Sequence, residues 1–195
     1  SHAMAAGPII EKELKGDDVG AAAKALAQLP YDKAYPKLVG MLKKDKKIDF
    51  SRPSVVSEMA YRNRFEAIQA LGFFGKPDPK AIKELMAIID DPQDDQRLAM
   101  AAGAALGQMA DPQLQDAMFA KVSDTKLEER MRAAYVNGLW RKPNPTLAPK
   151  LLSLFTTNTP GGVKLAAALA IGYSGNPAAE EGLLKLLDDP NARRY

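Results

Sequence analysis

Apolar positions recur along the chain at steps of three and four, the spacing of one helix face. One phrase repeats. It reads Ala70-Leu71-Gly72, Ala105-Leu106-Gly107, Val136-Asn137-Gly138 and Ala170-Ile171-Gly172, with the glycines 35, 31 and 34 residues apart. A weaker copy, Ala25-Leu26-Ala27, stands 45 residues before the first. The phrase closes helices that carry Phe65, Ile68 and Leu71, or Ala99, Ala102 and Leu106, on one side. Small residues there let neighbouring helices approach closely.

After each glycine comes Asp78-Pro79, Asp111-Pro112, Asn144-Pro145 or Asn176-Pro177. An Asp or Asn side chain accepts from the free N–H groups of a helix start, and proline suits the first helical position. Each pair therefore predicts a second helix. Its apolar face is Leu85, Met86, Ile88 and Ile89 in one copy, Leu151, Leu152, Leu154 and Phe155 in another, and Leu183, Leu184, Leu186 and Leu187 in the last. Met118, Phe119, Lys121 and Val122 break the pattern once; Leu38, Val39, Met41 and Leu42 begin it. No alternating β-branched run marks a strand. The spacing predicts an all-α fold of about five antiparallel helix pairs, at 17–45, 54–91, 93–124, 125–157 and 159–189.

The pattern of a basic residue, then Ala-Leu-Gly, Asp-Pro and Leu-Leu resembles HEAT repeats, most closely the bacterial PBS-lyase-like subtype. Arg64, Arg97, Arg132 and Lys164 stand for the basic residue. The resemblance implies an α-solenoid with first helices on the convex side and second helices on the concave side. Asn137 and the drifting basic position depart from the family's register. Asp189-Pro190, with Arg193 and Arg194 after it, resembles the opening of a sixth repeat at 190–195, as in part of a longer array.

Composition narrows the chemistry. The chain has no cysteine, and its one histidine, His2, lies in Ser1-His2-Ala3-Met4, which resembles a cloning scar at 1–4 ahead of one solenoid over 5–195. Thiolate nucleophiles, disulfides, Cys-ligated metals and histidine-based acid–base work lose their residues. No motif calls for a cofactor, and no catalytic residue is singled out. With 46% hydrophobic and 26% charged residues the composition is that of a folded chain. Its apolar runs fall far short of the roughly 20 residues of a membrane span. The absence of cysteine fits the cytoplasm and the periplasm equally.

Three surfaces are candidate sites. The connection after the first repeat carries Lys43, Lys44, Lys46, Lys47 and Arg52, a phosphate-binding composition interrupted by Asp45 and Asp49. Residues 1–80 hold a net charge of +4 against −1 in the remainder, an asymmetry too small to favour nucleic acid. Phe73, Leu139 and Tyr173 follow the repeat glycines and would align as an apolar edge. Trp140 is expected in the core. The second helices would line a groove through Lys37, Lys83, Glu84, Lys150 and Lys185, with small residues between the charges.

The leading expectation is a non-catalytic module or scaffold segment that binds another protein through that groove or that edge. Two alternatives stand: pigment handling, which the lyase-like resemblance implies, and anion or nucleic-acid binding through 43–52. A rigid spacer is the third.

Overall fold

The computed structural model describes residues 2–16, 18–29, 31–45, 47–48, 54–142, 144, 146–156 and 158–188. The expected opening of a sixth repeat lies outside them. The described residues are helical without a strand. The elements are α1 (His2–Lys12), α2 (Val19–Gln28), α3 (Tyr35–Met41), α4 (Val55–Phe74), α5 (Pro79–Asp90), α6 (Gln96–Gln108), α7 (Pro112–Ser123), α8 (Glu129–Leu139), α9 (Ala148–Leu151), α10 (Gly161–Ser174) and α11 (Pro177–Asp188). Helix α1, for which the apolar pattern gives no expectation, packs on α2. The rest is an α-solenoid in two layers, with α2, α4, α6, α8 and α10 as first helices and α3, α5, α7, α9 and α11 as second helices.

Side-chain caps explain where α4, α5, α7 and α11 begin. Asp78 accepts from the N–H groups of Lys80 and Ala81, Asp111 from Leu114 and Asn176 from Ala179, each with proline next in sequence. Ser54 and Ser57 cap α4 reciprocally, each hydroxyl accepting from the other's backbone N–H. Asn144 differs. It binds the N–H and hydroxyl of Thr146, and the helix begins only at Ala148. Pro149 is the reason. A helix begun at the proline after Asn144 would need an N–H that Pro149 lacks, so α9 starts late, with Pro149 in its first turn, and ends as a 3₁₀ turn over Leu152–Leu154.

The core runs unbroken from Leu14 to Ala179. Leu26, Leu71, Leu106 and Ile171 are fully buried along the first helices, each contributing roughly 1.5–3 kcal/mol by burial. Each second helix packs mainly on the first helix of the next pair: α3 on α4, α5 on α6 and α7 on α8. Second helices touch one another only lightly, whereas α6 and α8 lie against each other over much of their length. Glycines make that approach. A Cβ at Gly103 would overlap the carbonyl of Ala134, and one at Gly107 the carbonyl of Gly138. At Gly72 it would stand 3.1 Å from the Ala105 Cα. The first-helix layer is thus the tighter one.

Candidate functional site

The burial pattern fixes the register of the repeats. Ala70-Leu71, Ala105-Leu106 and Ala170-Ile171 are buried pairs, and their counterpart in α8 is Gly138-Leu139. The backbone contacts agree, since Gly72 abuts Ala105 and Gly107 abuts Gly138. The fourth copy therefore reads Gly138-Leu139-Trp140, two residues beyond the Val136-Asn137-Gly138 that the glycine spacing suggests. Arg64 and Arg132 then share a column, seven residues before Leu71 and Leu139. Both are buried, and each donates from Nε to a carbonyl at the end of the preceding second helix, Leu42 (3.0 Å) or Val122 (2.7 Å). Arg97 is outside this column and exposed, paired with Asp95 at 3.0 Å.

This register corrects the apolar edge. Leu139 is 1% exposed and belongs to the core, because it stands where Leu71 and Leu106 stand. Phe73 and Tyr173 remain on the surface at 60% and 62% exposure, and the residue level with them in α8 is Arg141. Trp140 is only partly buried. Its ring stacks on Tyr173 with centroids 5.5 Å apart, and the Arg141 guanidinium sits 4.1 Å from its centroid. Asn137 holds the arrangement. It donates to the Met100 carbonyl at 3.0 Å and accepts from the Trp140 indole N–H at 3.1 Å. The residue that departs from the apolar pattern is a polar clamp between α6 and α8.

A cavity of about 730 Å³ lies on the first-helix layer. Its floor is α6, where Ala101, Ala104 and Ala105 leave a trough. Phe65 and Phe73 of α4 form one wall; Asn137, Arg141 and Lys142 form the other. Met100 and Arg97 stand towards the α6 N-terminus. The groove lies on the first-helix layer, where alanines recess α6 between α4 and α8. In this register Leu165, Leu169 and Tyr173 of α10 continue the same face, all three exposed.

The second-helix face is a surface of paired charges. Lys37 meets Glu11 at 2.6 Å, Lys150 meets Asp116 at 2.9 Å and Lys185 meets Glu181 at 2.7 Å. Lys83 is exposed and Glu84 partly buried on α5. In the basic connection, Lys44 donates to the Gln93 carbonyl and stands 3.7 Å from Asp91. Lys43 and Lys47 are exposed, and Lys46 and Arg52 lie outside the described residues. A smaller cleft of about 290 Å³ adjoins it, lined by Glu58, Tyr61 and the Arg64–Asp94 pair among others.

That pair is the strongest electrostatic feature. Arg64 Nη1 and Nη2 donate to the two oxygens of Asp94 at 2.8 and 2.5 Å, with both side chains almost fully buried. Burial pushes the Asp94 carboxyl up, but the Arg64 hydrogen bonds and charge outweigh it and hold the group below its ordinary value. Tyr135, buried against Asp90 at 2.8 Å, is pushed far up by burial and that carboxylate, and Lys121 holds the other Asp90 oxygen at 2.7 Å. Burial drives the Tyr35 hydroxyl up to about 12. These groups tie repeats together and stand outside the large groove. Among the described residues no three His, Asp or Glu side chains gather as metal ligands.

No helix among the described residues is long and apolar enough to cross a membrane. No curated protein matches the chain. Residues 163–189, which hold most of α10 and all of α11, match the family model of the PBS lyase HEAT-like repeat, a match that supports, with the two-layer helical array, a HEAT-repeat assignment.

Proposed function

We propose that this protein is a non-catalytic docking module that holds a partner protein on the outer face of its first-helix layer. The observation that carries the reading is the groove itself: an alanine floor on α6, walled by Phe65 and Phe73 on one side and by Asn137 and Arg141 on the other, with Arg141 placed over Trp140. Exposed aromatic and apolar groups around a recess mark protein interfaces, and Trp, Tyr and Arg dominate their binding energy. The Phe73 and Tyr173 edge is part of this face, so edge and groove form one surface.

The test is an affinity pull-down from nuclease-treated source-cell lysate. It compares the wild type with Ala104→Trp/Phe73→Lys, which fills the groove, and with Lys83→Glu/Lys150→Glu, which reverses the second-helix face. Circular dichroism first establishes that each variant is folded. A partner lost only with the groove variant is the expected result. Loss only with the charge-reversal variant moves docking to the second helices. No specific partner in any lane rejects the docking role in favour of a spacer.

A further inference from the structure

We infer that the groove takes an amphipathic α-helix that carries carboxylates towards the Arg141 end, an acidic helical segment of a partner protein. This rests on the docking reading above and names the chemistry of the occupant.

Charge is the first argument. Among the described residues lining the groove there are three cations and no carboxylate. Arg97 is committed to Asp95 at the N-terminal end of α6. Arg141 and Lys142 are exposed at the other end, and no ion pair among the described residues engages either. The Arg141 guanidinium stands over the Trp140 ring at 4.1 Å from its centroid, and a guanidinium so placed can still offer its N–H groups to a carboxylate. A basic partner would meet these cations with nothing to neutralise them.

Shape is the second argument. From Arg97 to Gln108 the trough follows α6 for about 16 Å, close to three helical turns. Its floor positions, Ala101, Ala104 and Ala105, share one α6 face, the spacing that meets the i, i+3 and i+4 side chains of another helix. An extended peptide would find no strand edge here, since the backbone groups of helices are already bonded internally. A helix brings its own bonds and inserts only side chains. Leu, Met or Phe would fill the space above the alanines.

The probe is a displayed library of random 16-residue peptides, selected on the wild-type protein at low salt. The expected winners place apolar residues three and four apart and carry Asp or Glu near one end. The strongest is then measured by fluorescence anisotropy. Ala104→Trp should abolish binding. Lys142→Glu and Arg141→Glu should each weaken it tenfold or more, and added salt should weaken the wild type. The Lys142 variant guards against a folding artefact, since that side chain is exposed. Winners that are basic or neutral yet blocked by Ala104→Trp overturn the acidic helix and leave the docking groove standing. Winners indifferent to Ala104→Trp, or no enrichment at all, overturn both.

Discussion

Replacing Arg64 with methionine keeps the length of its stem and removes its guanidinium. That group makes three hydrogen bonds at once: one to the Leu42 carbonyl after α3 and two to Asp94 in the connection before α6. It ties the first three repeats to a single side chain. Both partners are about 95% buried, so water does not take the place of the lost contacts. Breaking a buried ion pair from one side costs about 3–5 kcal/mol, mostly from the stranded charge. Against a total stability of roughly 5–15 kcal/mol that is a large fraction. At about 2–4 °C per kcal/mol for a chain of this size, the melting temperature should fall by roughly 6–20 °C. Arg64→Met combined with Asp94→Leu removes both charges and should recover most of the loss. The pH dependence has a definite sign. The folded carboxyl of Asp94 titrates below its ordinary 3.8, so its contribution is complete above that value and is lost as pH falls through the lowered one. The gap between wild type and Arg64→Met should therefore close in acid. Urea unfolding followed by far-ultraviolet circular dichroism, at neutral pH and in acid, measures all of this. A loss under about 1 kcal/mol at neutral pH, or a double variant no better than the single one, would refute the reasoning.

Two further substitutions test the packing. Alanine in place of a mid-helix glycine ordinarily stabilises by up to about 1 kcal/mol. Gly107→Ala should instead lose about 1–3 kcal/mol by overlap with the Gly138 carbonyl, while Gly172→Ala, whose Cβ meets nothing within 4 Å, should show the ordinary gain. Equal effects in paired thermal melts would dismiss the glycine seam. Ala110 adopts φ 53° at the repeat position where Gly75 and Gly175 take 59° and 62°. Ala110→Gly should raise stability by up to about 1 kcal/mol, and a lowered melting temperature would contradict strain at that turn.

The fold was legible in the sequence because helix pairs announce themselves locally. Asp78, Asp111 and Asn176 are read correctly from the Asp-Pro and Asn-Pro signal alone, since a cap is a contact between residues two or three apart. Asn144 misleads because the decisive residue is Pro149, five positions downstream. The site was harder to read. Phe73 and Tyr173 are where an exposed column should place them, but Leu139 is buried because α8 is aligned by packing against α6, and not by its glycine. Asn137 held the missing signal. A polar residue in an apparently apolar column, three before a tryptophan, fits a helix read two residues out of register. Ala101 and Ala104 of α6 give no signal in the sequence, because a trough depends on the bulk of the neighbouring helices and not on the alanines themselves.

The seam between α6 and α8 gives the molecule a mechanical grain. Spreading the first helices must separate backbones that already touch, whereas spreading the second helices breaks few contacts. Between α4 and α8 the array would bend like a bound book, with its spine along the glycines and its leaves on the other side. Bending that opens the charged second-helix face would break fewer contacts than bending that opens the alanine trough. A load transmitted along the chain would be taken up as curvature on the fanning side, and a helix seated at the spine would stay gripped while the array flexes.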